Sequence, residues 1–166
     1  MTFTGSGLGP TIGGFIEFVT SVMAPPAPFN PETSVYVTYA YDFAYQWVNT
    51  DLALTCPQVI GSWNLYSIAV YNLAADTLIA IAQDQPSDPI YKDGLKYWAW
   101  LRQEYNTLAF VPGIVQSSSD EGTSVGYELP DSYKGFTIAN IQNTKSPYGR
   151  AYLGIAQSYG TLWGLN

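Results

Sequence analysis

Few residues in this chain could do chemistry, and one type is missing altogether. There is no histidine, so the commonest general base near neutral pH is absent. Ser–His–Asp and Cys–His pairs are impossible, and zinc sites are nearly excluded with a single cysteine, Cys56. Cys56 precedes Pro57 and has no base near it in sequence, so it reads as a buried bystander rather than a nucleophile. Asp42, Asp51, Asp76, Asp84 and Glu104 could supply the carboxylate pair of a glycosidase. Nothing in their spacing singles out two, and Asp42 and Glu104 read more simply as solvated helix residues. The run Gly5-Ser6-Gly7-Leu8-Gly9 has no preceding strand and no following Gly-Lys-Ser/Thr, so it reads as a leader rather than a phosphate loop. Asp120-Glu121-Gly122 lacks the Asp-x-Asp spacing of a calcium loop and reads as a solvated turn. The expectation is a protein that is not an enzyme, with no cofactor and no metal.

The elements that would position these residues are mostly helices. Residues 1–9 form a flexible leader rich in Gly, Ser and Thr. Pro10 opens a short helix, Thr11 to Met23, with Ile12, Phe15, Ile16, Val19 and Met23 at helical spacing. Ala24-Pro25-Pro26-Ala27-Pro28 then stops it. Asn30-Pro31-Glu32 predicts the next helix start: a cap, a proline for the first position and a carboxylate for the positive helix end. Tyr36, Tyr39, Ala40, Phe43 and Trp47 form an apolar stripe at i, i+3, i+4, i+7 and i+11, expected to face the core. Ser62 is a candidate cap for a third helix running to about Asp84. That helix is apolar nearly all round and is expected at the centre. Leu65 to Ala82 has roughly the length of a membrane span, but Ser67, Asn72, Asp76 and Thr77 interrupt it. A fourth helix is expected from Ile90 to Leu108, with the stripe Leu95, Trp98, Leu101, Tyr105 and Leu108, weakened by Gly94 near its start. Trp47, Trp98 and Trp100 are read as core residues.

The period then changes. Residues 113–116 and 125–129 bracket the polar run 117–122, and Val125, Tyr127 and Leu129 alternate with Gly126, Glu128 and Pro130. This predicts a β-hairpin or extended arm over 113–130. Ser146-Pro147 starts a last short helix, Pro147 to Gln157, and Gly160 and Gly164 loosen the tail after it. The fold class is therefore mainly α: a compact bundle of about four helices with a protruding β-hairpin and an extended C-terminal arm. The chain reads as a single domain over 1–166, with a helical core over 10–110, a hairpin over 113–130, and the short helix and arm over 146–166.

Composition bounds the partners. Charged residues make up 11% of the 166 residues, against roughly 25% in an ordinary soluble domain. Aromatic residues reach 16%, and 14 of them are Tyr. Interfaces are rich in aromatics and poor in charge at their centres. The composition fits a subunit that hides surface against other chains, and it fits equally a monomer with a Tyr-rich core. Net charge is −7. The basic residues Lys92, Lys96, Arg102, Lys134, Lys145 and Arg150 are scattered, so tight DNA binding is not expected. One cysteine allows no internal disulfide, and the N-terminus lacks the charged and apolar regions of a signal peptide.

Two stretches carry a family resemblance. Ser117-Ser118-Ser119-Asp120-Glu121-Gly122-Thr123-Ser124-Val125 resembles the hairpin of a head–tail adaptor family of tailed bacteriophages. Lys145-Ser146-Pro147-Tyr148-Gly149-Arg150-Ala151-Tyr152-Leu153 is similar to the "TPYGRxYL" motif that follows it there. The helix through Asn72-Leu73-Ala74-Ala75 takes the place of that family's "AAH" core helix, with Asp76 where the pattern often has a histidine. The match covers about the last third of the chain by motif.

The resemblance implies a homo-oligomeric ring, commonly twelve-fold, seated under the portal protein in the virion neck and assembled in the host cytoplasm. Such a ring extends the DNA channel, lets DNA pass without specific binding, touches no membrane, and docks a downstream tail or stopper protein. Tyr148 and Arg150 then become candidate partner-binding residues. Arg150 would bridge subunits through a carboxylate; the alternative is an intrachain surface pair of little energetic worth. Tyr159, Leu162, Trp163 and Leu165 are candidates for the portal anchor, against packing back onto their own domain. Asp120 and Glu121 would touch a neighbour or the next ring, against a solvated turn. Two other classes stay open: another neck or capsid decoration protein, and a carbohydrate-binding tail accessory module, which should be mostly β.

Overall fold

A computed structural model describes residues 9–52, 59–60, 63–108, 117–120, 123–126 and 142–158. These residues are mostly helical. Helix α1, Ile12–Phe18, continues as a π turn over Val19–Met23. Thr11 caps it: its side chain accepts from the Gly14 N–H at 3.0 Å. The turn ends where Ala24 takes the left-handed conformation, φ 47°.

Helix α2, Val35–Trp47, begins later than the Asn30-Pro31-Glu32 signal predicts. Asn30 Oδ1 accepts instead from the Glu32 N–H at 3.0 Å, which closes a local turn over Pro31–Thr33. Ser34, in extended conformation, is the residue that enters the helix. The face that α2 buries is also not the predicted one. Val37, Ala40, Tyr41 and Ala44 are buried, followed by Val48. Of the expected stripe only Ala40 is buried, while Tyr39, Phe43 and Trp47 are exposed. Trp47 is thus not a core residue.

Strands β1 (Val59–Ile60) and β2 (Trp63–Asn64) pair antiparallel and lead into α3, Leu65–Ile81. Its cap is Asn64, whose Oδ1 accepts from the Ser67 N–H at 2.7 Å; the expected cap, Ser62, lies outside the described residues. As expected, α3 is buried nearly all round. Two of its polar interruptions are absorbed locally. Asn72 Nδ2 donates to the Ile68 carbonyl at 2.8 Å and Thr77 Oγ1 to the Leu73 carbonyl at 2.9 Å. These two find their partners one turn back, while Asp76 accepts from the Ser146 hydroxyl. Both α2 and the last helix, α5 (Pro147–Ser158), pack against α3.

Helix α4 covers Tyr97–Glu104, not Ile90–Leu108. The residues before it form a tight turn, with Asp93 at φ 53° and Gly94 at φ 76° between bridged Lys92 and Leu95. Two successive positive φ values are what an Asp-Gly pair accommodates. Trp98 and Leu101 are buried as the stripe predicts, Trp100 is half-buried, and Leu108 is exposed.

Strands β3 (Ser117–Asp120) and β4 (Thr123–Gly126) pair antiparallel, from Ser117↔Gly126 to Asp120↔Thr123. The polar serine run is therefore itself a strand. The remainder of 113–130 lies outside the described residues. Helix α5, Pro147–Ser158, starts where Ser146-Pro147 predicts. No helix among the described residues is long and apolar enough to cross a membrane.

Candidate functional site

Two of the carboxylates open to catalysis in the sequence, Asp76 and Asp84, serve the scaffold. Ser146 is fully buried; its hydroxyl donates to Asp76 Oδ1 and accepts from the Gly149 N–H at 2.9 Å. That chain of hydrogen bonds fastens the start of α5 to the middle of α3. Burial pushes the Asp76 carboxyl up to about 6, with the Ser146 hydrogen bond opposing. Gly149 is needed because a Cβ there would lie 2.1 Å from the Asn143 carbonyl oxygen.

Asp84 joins two other helices. Its carboxylate accepts from the N–H groups of Trp98 and Ala99, both at 2.9 Å, so it caps α4 from outside that helix. Arg102 faces it at 3.8 Å. Arg102 also donates to the Ile79 carbonyl at 3.1 Å and to that of Ala82, at the end of α3. Carboxylate at one helix start and guanidinium at another helix end complement both dipoles at one junction. Asp42 and Glu104 are exposed on their helices. Among the described residues no group of three His, Cys, Asp or Glu side chains is placed to hold a metal ion.

The core aromatics hold the N-terminal helix in place. Phe15 packs on Phe18, Tyr41 and Tyr71 at ring separations of 6.5, 6.2 and 6.0 Å. The Tyr71 hydroxyl accepts from the Thr11 N–H at 3.0 Å, and the Tyr41 hydroxyl donates to the Pro10 carbonyl at 2.9 Å. Desolvation pushes Tyr41 up to about 12. Tyr41, Tyr66, Tyr71 and Tyr152 are thus core, which is the part of the tyrosine content that fits one of the two readings the composition leaves open.

The other reading draws on α2. Val35, Tyr39, Phe43 and Trp47 are 73%, 60%, 39% and 51% exposed. They recur every fourth residue along one side of the helix. Phe43 and Trp47 stack on each other at 5.5 Å and 16°. Asp42 is the single charged residue between Val35 and Trp47. The result is a nearly uncharged aromatic ridge in water, the kind of surface that marks an interaction site.

The predicted partner-binding residues fall into three groups. Tyr148 is half-buried and meets Phe18 edge-on at 6.2 Å, so it binds its own chain. Arg150 is exposed, and its Nη1 donates to the carbonyls of Thr144 and Lys145 at 3.1 and 2.9 Å, bracing the loop before α5. Asp120 sits in β3 opposite Thr123. Glu121, Tyr159, Leu162, Trp163 and Leu165 lie outside the described residues. Of the described ones, Tyr148 and Arg150 lie on α5 and Asp120 on β3, so none shares a helix with the aromatic ridge. The ridge was missed because two stripes compete on α2, and the sequence signal for the right one was its smaller residues.

No family model, curated protein or solved structure matches the chain.

Proposed function

We propose that this chain is a structural virion protein of a tailed bacteriophage, a head-to-tail adaptor that assembles as a ring under the portal. In this reading the chain is a helical bundle with a protruding β-hairpin and an extended C-terminal arm. The ring is dodecameric, extends the DNA channel and docks the downstream tail or stopper protein. It catalyses nothing. The observation that carries the proposal is the aromatic ridge of α2. Tyr39 and Phe43 stand exposed on it, and a ring subunit would bury such a ridge against a different patch on its neighbour. The two family-like stretches, 117–125 and 145–153, point the same way. The acidic chain, at net charge −7, suits a channel through which DNA slides without sticking. A mostly β carbohydrate-binding module fits poorly with a mostly helical chain.

The test is electron microscopy of the purified chain mixed with the portal protein of its own virus. A ring stacked coaxially on the portal is the expected result and gives the subunit count. Folded monomers beside bare portals overturn the proposal. Binding to the capsid shell instead would turn the reading to a decoration protein.

A further inference from the structure

The last helix is held differently from the rest of the bundle. Helix α5 ends the described residues, and its principal neighbour is α3. Helix α3 also meets α1, α2, α4 and β2, and those contacts do not run through α5. The side of α5 that is buried is small: Gly149, Tyr152, Leu153 and Ala156. Tyr148 adds an edge-on contact with Phe18. A terminal helix with one main partner can open before the rest of a fold does.

One polar cluster sits at the start of this seat. Ser146 is fully buried and precedes Pro147, the first residue of α5. Its oxygen accepts from the Gly149 N–H at 2.9 Å, as a helix cap does. Its proton goes to Asp76 Oδ1, on α3. A carboxylate of one helix thus orients the cap of another. The Ser146 hydroxyl favours the carboxylate anion, burial opposes it, and burial is the larger influence.

No charge on the neighbouring elements offsets that burial. Arg102 on α4 faces Asp84, and Arg150 on α5 holds the carbonyls of Thr144 and Lys145. Neither these cations nor Lys145 itself contributes to the state of Asp76. Glu17 on α1, Asp42 on α2 and Glu104 on α4 are carboxylates and could add only repulsion. Tyr41 on α2, Tyr66 and Tyr71 on α3, Tyr97 on α4, and Tyr148 and Tyr152 on α5 are all pushed up by burial and stay neutral. Strand β2 is Trp63–Asn64 and brings no ionisable group.

We propose that Asp76 and Ser146 form a proton-operated latch: α5 is seated on α3 while Asp76 is neutral, and opens more readily when Asp76 is ionised, with α1 to α4 still folded. The folded-state value of about 6 lies above the ordinary 3.8, so seating favours the protonated form. The latch is fully closed below 3.8 and loosens as pH rises through about 6. Opening bares Tyr152 and Leu153, which are otherwise buried. This inference does not depend on the neck reading.

The test is hydrogen–deuterium exchange of the whole chain at about pH 5 and about pH 7.5, corrected for the intrinsic effect of pH and repeated in urea below the unfolding transition. Amides of α5 should be less protected than those of α2 and nearly insensitive to urea, because a local opening exposes little surface. Their protection should fall about tenfold between the two conditions, less than the full shift allows because solvent reaches the edge of the half-buried carboxyl. Asp76→Asn, which keeps the oxygen that Ser146 donates to, should hold α5 protection constant. Circular dichroism would check its folding, and Asp76→Ala takes its place if it does not fold. Three results overturn the proposal, the first two read on the parent chain alone. They are α5 protection equal to that of α2 with the same urea dependence, no fall in α5 protection with pH, and an equal fall in the neutral variant.

Discussion

Asp76 shows how a residue that looks catalytic can be structural. Its carboxyl stands at about 6 because burial penalises the charge. A folded-state value above the usual one means that folding favours the protonated form. The stability contributed by protonation is fully present below the ordinary carboxylate value of 3.8 and is lost as pH rises through about 6. The loss is at most about 3 kcal/mol, less what solvent at its edge screens. Asp76→Asn keeps the oxygen that Ser146 donates to and removes the charge. Thermal unfolding of this variant should therefore fall less between pH 4 and pH 7 than that of the parent. An identical pH dependence would remove Asp76 from this role. Gly149 is the second such residue. Gly149→Ala should cost about 1–3 kcal/mol in urea unfolding, because the Asn143 backbone must give way. Gly154, with open space where its Cβ would stand, should accept alanine without loss.

Among the elements, α2 carries the most informative contrast. Its buried face sets the small residues Ala40 and Ala44 beside Val37 and Tyr41, and it packs against the alanine-bearing α3. Its exposed face is built of large rings. Substitutions on the two faces should separate stability from association. Ala44→Leu should destabilise the fold by about 1–3 kcal/mol through overpacking. Tyr39→Ser with Phe43→Ser should leave the unfolding midpoint nearly unchanged and lower self-association in analytical ultracentrifugation. Loss of folding in that double variant would mean the ridge is part of the core after all. The α3–α4 junction is the other element-scale feature. Asp84→Ala removes the cap of α4 and the carboxylate facing Arg102, and should cost about 1–2 kcal/mol in denaturant unfolding.

For the whole molecule, the proposed arm gives the clearest prediction. Removing residues 159–166 should leave the helical domain folded, because the core among the described residues runs from Phe15 to Ala156. Portal attachment should be lost, as read by co-sedimentation with portal rings. Unchanged attachment would sink the anchor role of Tyr159, Leu162, Trp163 and Leu165. What the sequence determined by itself was the helical character, the central helix α3, the helix starts near Thr11 and at Ser146-Pro147, and the acidic, aromatic-rich, histidine-free chemistry. These are local or compositional properties: hydrophobic period, cap residues and proline positions act within a few residues of themselves. The tertiary structure decided the rest. On α2 two helical stripes compete, and the periodicity of a single helix cannot say which one meets a neighbour. The alanines won because α3 packs close. The turn at Asp93-Gly94 displaced a helix start whose period looked continuous. The partnerships of Asp76 with Ser146 and of Asp84 with Trp98, Ala99 and Arg102 join residues far apart in the chain. They exist because packing brings their backbones together.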